Sequence, residues 1–142
     1  MERIVELLEK KNDYLEKFFV ISDAELLNFK AGDFDNLESF YDCREKILNI
    51  IKHIEKEVEK ISHQFSPSEK MPPEMLAQMK VEMSSKDVWV SKILDLDLEI
   101  MSCIEAEKSS MIRELSSVKA GKKVLEGYHS GAKPAYQLDE KI

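Results

Sequence analysis

Between Leu37 and Phe65 the apolar residues return every three or four positions, and this spacing constrains the fold more than any other feature of the sequence. Residues spaced in this way lie on one face of an α-helix, here for about four heptads without a proline or glycine. The face consists of Leu37, Tyr41, Ile47 or Leu48, Ile51, Ile54, Val58, Ile61 and Phe65. Such a helix depends on other helices to cover its apolar face. The segment therefore predicts an all-α protein.

Two further segments have the same periodicity and predict two more long helices. The first covers about Glu2 to Phe29, with apolar residues at Ile4, Leu8, Leu15, Phe18, Phe19, Leu26 and Phe29. The second begins after Ser84, which can act as its N-cap, and ends between Gly121 and Gly127. Its face contains Val90, Ile93 or Leu94, Ile100 or Met101, Ile104, Met111, Leu115 and Val118.

A short turn separates the first two predicted helices. Gly32 can adopt the left-handed conformation that commonly ends a helix, and Asp33 or Asp35 can cap the helix that follows. Because the connection is so short, we expect the two helices to be antiparallel neighbours.

Three prolines between Ser66 and Pro73 end the second helix. A short amphipathic helix is predicted next, from Glu74 to about Met83, and methionines dominate its apolar positions. Met71, Met75, Met79 and Met83 either close one end of the bundle or form an adaptable contact surface. Trp89 is interpreted as a core anchor, although an exposed tryptophan would be a binding hot spot.

The sequence thus predicts an antiparallel bundle of three long helices with one short Met-rich helix, over residues 1–126. Residues 127–142 contain glycine, proline and polar residues without a period, so we expect a loose, flexible C-terminal tail. A single domain suits the length of 142 residues.

The charge excludes several kinds of partner. Lysine and arginine number 21 against 28 acidic residues, which gives a formal net charge of −7. Nucleic acid and anionic lipid are disfavoured, because both are bound through clustered basic residues. The N-terminal segment is charged throughout and does not resemble a signal peptide, and no apolar run is long enough for membrane insertion. A cytoplasmic location is expected.

Residues that could perform chemistry do not converge in the sequence. His53 and His63 lie about 15 Å apart along one helix, too far to share a metal. Glu126 and His129 have the Glu-x-x-His spacing of di-iron proteins. A di-iron site needs this motif twice, and here it occurs once. Cys43 and Cys103 are interpreted as buried, reduced thiols. We therefore expect no enzymatic activity, no metal and no cofactor.

One part of the sequence resembles a known family. Phe29 to Leu37 reads as a helix end followed by a Gly-Asp-aromatic turn, and Tyr41 to Leu48 contains an Arg-Glu-x-Ile-Leu run. Val124 to Tyr128 then leads into the tail. Together these segments resemble the FlgN and FliT families of flagellar export chaperones.

The resemblance implies a cytoplasmic chaperone that binds an aggregation-prone helix of a flagellar or type III secretion substrate. Such a chaperone delivers its protein cargo, a hook-filament or filament component, to the export gate. Cargo contacts are implied for the third helix, and a tail tyrosine is implied in docking to the gate. The residues so indicated are Met111, Leu115, Val118, Val124, Leu125, and Tyr128 or Tyr136.

An alternative interpretation is a structural or regulatory helical protein that associates with itself. The long apolar face of the second helix would suit a homodimer. In that case Arg44 or Asp97, which interrupt apolar faces, would fix the register of the two copies.

Overall fold

In the computed structural model, residues 2–65 and 71–128 are described, with side chains as far as 125. Three α-helices account for nearly all of them: α1 is Glu2–Lys30, α2 is Leu37–Gln64 and α3 is Pro73–Tyr128. These two stretches contain no β-strand. The prediction of an all-α protein is confirmed, and the bounds predicted for α1 and α2 are correct to within one residue.

The turn after α1 is built as predicted around Gly32, whose φ is 81°. The Gly32 amide donates to the carbonyl of Phe29 at 3.0 Å, and the Asp33 amide donates to that of Asn28 at 2.9 Å. This pair of bonds is the Schellman arrangement, which requires a left-handed residue at this position. The predicted aspartate cap on α2 is wrong. Asn36 occupies the cap position without a side-chain bond, while Asp33 Oδ1 accepts from the Asp35 amide at 3.0 Å.

The separate Met-rich helix is also a wrong prediction, because α3 is continuous from Pro73 through Ser84 to Tyr128. Pro73 stands in the first turn, where its missing amide hydrogen costs nothing. Between Pro73 and Gly121 the sequence contains no proline or glycine that could stop the helix. Serine is an adequate helix residue, so Ser84 alone does not create a boundary.

The chain divides into two units, Met1–Ser102 and Cys103–Ile142. In the first unit, α1 and α2 are antiparallel. Lys11 pairs with Glu55 at 3.1 Å, whereas Phe29, far along α1, contacts Phe40 near the start of α2, with ring centroids 5.4 Å apart. The central core cluster consists of Leu15, Phe18, Ile47, Ile51 and Ile93.

Within this unit α3 runs in the same direction as α1. The Asn12 amide group donates to the carbonyl oxygen and the carboxylate of Glu82, at 2.9 and 2.7 Å. Further along both helices, Phe19 contacts Trp89 with ring centroids 5.6 Å apart. Trp89 is half-buried and packs against the core cluster.

The structure decides the alternatives for the core positions. Ile47, Ile93 and Ile100 are buried, while their neighbours Leu48, Leu94 and Met101 are exposed. Consecutive residues of a helix point about 100° apart, so only one of each pair can face the core. Tyr41 is exposed and Phe40 is buried in its place.

The predicted burial of both cysteines is wrong: Cys43 is exposed and Cys103 is half-buried, and both are free thiols.

Arg44 and Asp97 form an ion pair within the chain. Arg44 Nη2 donates to both carboxylate oxygens of Asp97 at 2.9 Å. The guanidinium carbon also lies 4.4 Å from the ring centroid of Phe18 and 5.0 Å from that of Phe40. Arg44 therefore joins all three helices, and the prediction that Arg44 or Asp97 sets the register of a dimer has no basis in this arrangement.

None of the helices described here is both long and apolar enough to cross a lipid bilayer. The predicted flexible tail, residues 127–142, lies outside the described residues apart from its first two positions, which belong to α3.

Candidate functional site

The second unit contains the residues that the sequence indicates as partner contacts. Met111, Leu115, Val118, Val124 and Leu125 are all between 53% and 60% exposed. Every residue from 111 to 121 is exposed. Large apolar side chains that are exposed at helical spacing mark a surface for protein interaction more often than isolated ones do.

Four of these side chains share one side of α3. Met111, Leu115, Val118 and Leu125 follow spacings of four, three and seven residues, so they lie on one helical face about 21 Å long. We call these four residues the C-terminal face. Val124 precedes Leu125 directly and is rotated about 100° from it. The structure thus brings together four of the predicted contacts and separates Val124 from them.

The tyrosine predicted to dock at the export gate, Tyr128 or Tyr136, falls at the limit of the described residues or beyond it. Tyr128 is the last residue of α3, and its side chain is not described. Tyr136 lies outside the described residues.

Sequence reasoning missed Ile112, which is as exposed as its neighbours. It follows Met111 directly and is rotated about 100° from it, so it lies beside the C-terminal face and not on it. The assignment of apolar residues to a single periodic face excluded it, because it breaks the three-four spacing. Inspection of every large apolar residue after Ser102 would have identified it.

The charge around the C-terminal face has the opposite sign to that of the first unit. Residues 108–125 contain five basic residues and one acidic residue, for a formal charge of +4. Residues 1–102 contain 14 basic and 22 acidic residues, for a formal charge of −8. Basic residues beside an apolar face favour a partner that carries carboxylates next to its own apolar residues.

In the part of the chain that the structure describes, no three His, Cys, Asp or Glu side chains come together as metal ligands. What the face offers chemically is a strip of apolar surface with adjacent positive charge, an arrangement suited to non-covalent binding of a helix.

Comparison of the chain with protein-family models, with curated proteins and with solved structures finds no significant match. The resemblance to export chaperones rests on the residues of the turn, of α2 and of the end of α3 named above, and it stays a prediction.

Proposed function

We propose that this protein is a helical binding protein that holds an amphipathic helix of another protein against its C-terminal face. In its more specific form, the proposal is a cytoplasmic export chaperone that carries a flagellar or type III secretion substrate to the export apparatus. The single observation that carries the binding proposal is the exposure of Met111, Leu115, Val118 and Leu125 on one face of α3.

The energetics of this face favour a bound helix. Covering a large apolar side chain contributes roughly 1.5–3 kcal/mol when burial is complete, and these four are more than half exposed. A helix laid along the face would offer its own apolar residues at spacings of three and four. The face already belongs to a helix, so little ordering of this chain would oppose binding.

The charge supports a protein occupant with carboxylates beside its apolar residues. The formal charge of +4 over residues 108–125 gives attraction at the rim of the contact and increases the association rate at low salt. The export-chaperone form of the proposal adds the identity of the cargo, and its support is the family resemblance in the turn, in α2 and at the end of α3.

The second function considered, self-association through α2, is not proposed. Ile47, Ile51 and Ile54 are buried within the chain, and Arg44 is paired with Asp97. The central part of the α2 face that suggested a dimer is therefore occupied within the chain, whereas Tyr41 and Leu48 of that face stay exposed.

The experiment uses the tagged full-length protein as bait in cytoplasmic extract of a motile bacterium, with bound proteins identified by mass spectrometry. We expect enrichment of one hook-filament or filament component. The purified component is then titrated against bait variants. Leu115→Glu and Leu125→Glu should each weaken binding at least about tenfold, because a carboxylate placed in an apolar contact costs more than 1.4 kcal/mol.

The matched control is Leu27→Glu on α1, because Leu27 is 71% exposed and lies outside the C-terminal face. It should bind like the unmodified protein. Equal loss in all three variants would contradict the assignment of the site. Enrichment of an unrelated helical protein would support the binding proposal but contradict the export-chaperone form of it. Binding of anionic vesicles with no protein partner would contradict both.

A further inference from the structure

A second exposed apolar surface lies in the first unit, around the Arg44–Asp97 ion pair. Residues three and four positions away on a helix are neighbours on its surface. For Arg44 these neighbours include Tyr41 and Leu48, and for Asp97 they include Leu94 and Met101. All four are exposed, and so is Leu98, which follows Asp97 directly.

We call Tyr41, Leu48, Leu94, Leu98 and Met101 the α2–α3 patch. Their exposed fractions run from 42% to 65%, although each belongs to a helix that buries other residues in the core. On α3 the three patch residues follow spacings of four and three, so they form a continuous helical strip. The ion pair holds α2 beside α3 at Asp97, which lies between Leu94 and Met101 along α3.

The ion pair also connects the two helices that carry the patch. Arg44 and Asp97 retain only 15% and 28% side-chain exposure, and the guanidinium rests on Phe18 and Phe40. An apolar surface carried by two helices that are already folded loses little conformational freedom when a third helix binds to it. Helices that pack side by side in this way are the usual sites for a docked amphipathic helix.

The rim of the patch is acidic. Glu38, Asp42 and Glu45 lie within one turn of Tyr41, and Asp95 follows Leu94; all four are exposed. Lys52, one turn after Leu48, is the basic residue nearest to the patch along α2 on the same side. Lys92, one turn before Asp95, lies 5.0 Å from the ring centroid of Trp89.

From these observations we propose that the α2–α3 patch is a second docking surface, whose occupant is an amphipathic helix of a partner protein with lysine or arginine beside its apolar residues. The occupant becomes a fourth helix against α2 and α3. Its basic residues pair with the carboxylates of the rim, which sets both its orientation and its selectivity against acidic helices.

A second copy of this chain is a poorer occupant. A symmetric contact would bring the same patch of both copies together and would place like carboxylate rims opposite each other. Like charges opposed across a contact are destabilising. The surface is separate from the C-terminal face, and the inference does not depend on the function proposed for that face.

The test uses two synthetic helical peptides with identical apolar residues, one with lysines beside them and one with glutamates. The full-length protein is labelled at its methionine methyl groups and observed by NMR. Met101 reports on the α2–α3 patch and Met111 on the C-terminal face. Both signals are assigned with Met101→Leu and Met111→Leu variants, which preserve apolar volume.

We expect the lysine peptide to shift the Met101 signal in a saturable manner. Leu94→Gln with Leu98→Gln should weaken this binding at least tenfold, and the control Leu27→Gln should leave it unchanged. Glu45→Lys with Asp95→Lys should remove the preference for the lysine peptide, because the four rim positions then carry no net charge. These side chains are exposed, so folding is preserved, which Trp89 fluorescence verifies.

Two results would overturn the proposal. One is a Met101 signal that does not respond, or responds equally to both peptides. The other is a Met101 signal that shifts with the concentration of the protein itself while sedimentation shows a dimer, because a second copy then covers the patch. The Met111 signal reports separately on the C-terminal face, so failure at one surface is distinguishable from failure at the other.

Discussion

Two stretches of α3 have closely similar apolar spacing and opposite burial. Ile93, Leu96 and Ile100 lie at spacings of three and four residues and are at most 8% exposed. Met111, Leu115 and Val118 lie at the same kind of spacing and are at least 53% exposed. The first group packs in a unit that supplies α1 and α2, whereas in the second unit no described helix other than α3 is present. The spacing of apolar residues therefore predicts which residues share a helical face, but it does not predict whether another part of the chain covers that face.

The difference has a functional consequence. A buried apolar face contributes its free energy to folding of the chain, while an exposed one retains that free energy for a partner. Mutations in the two stretches should accordingly separate stability from binding.

The largest effect should follow from removing a core side chain. Ile100→Ala should lower the free energy of unfolding by about 2–5 kcal/mol, because it leaves a cavity at a residue that is 2% exposed. Leu115→Ala, the matched change in the exposed stretch, should change it by less than about 0.5 kcal/mol. Urea unfolding followed by the fluorescence of the single tryptophan measures both. Similar losses in the two variants would mean that the C-terminal face is covered.

A smaller effect is expected at the ion pair. Asp97→Ala leaves the guanidinium of Arg44 without its carboxylate and should cost about 1–2 kcal/mol of unfolding free energy, since the pair is only partly buried. Glu99→Ala is the control. Its carboxylate lies 3.7 Å from Lys30 with both side chains more than half exposed, so its loss should cost less than about 0.5 kcal/mol. If the two variants unfolded at the same urea concentration, the Arg44–Asp97 ion pair would not stabilise the fold more than an exposed pair does.

Because the C-terminal face includes Leu125 but not Val124, substitutions at these two adjacent residues should have different effects on partner binding. Leu125→Glu should weaken partner binding at least about tenfold, whereas Val124→Glu should change it by less than about twofold, since Val124 points elsewhere on the helix. Titration with the partner identified for the bait measures both constants. A larger effect at Val124 would place the contact on a different side of α3.

The smallest effect concerns Ser22, which is fully buried on α1 with no hydrogen-bond partner for its hydroxyl among the described residues. Ser22→Ala should raise the free energy of unfolding by about 0.5–1 kcal/mol, because it removes an unpaired polar group and adds helix propensity. Thermal unfolding detects the change. A loss of stability would show that the hydroxyl is hydrogen bonded in solution.

Much of the fold could be predicted from the sequence because helix boundaries here depend on local chemistry. Gly32 and the prolines before Glu74 stop helices for steric reasons that need no tertiary information. Ser84 was misread as a boundary because a serine can cap a helix or continue one, and only the surrounding structure decides between them.

The side of each helix that is buried could be predicted only approximately. The spacing allowed either residue of the pairs Ile47/Leu48 and Ile93/Leu94, because adjacent positions fit the same period within its tolerance. Phe40 was missed because its burial depends on contact with Phe29, which is distant in sequence. The α2–α3 patch depends likewise on an ion pair between residues 53 positions apart.

Amide hydrogen exchange of the free protein tests the central claim, that the C-terminal face is open, most directly. We predict that amides of residues 111–125 exchange orders of magnitude faster than those of residues 93–100, because a helix without tertiary contacts opens locally at low cost. Addition of the bound partner should then slow exchange in residues 111–125 alone. Comparable protection of the two stretches in the free protein would contradict the account, since the C-terminal face would already be covered.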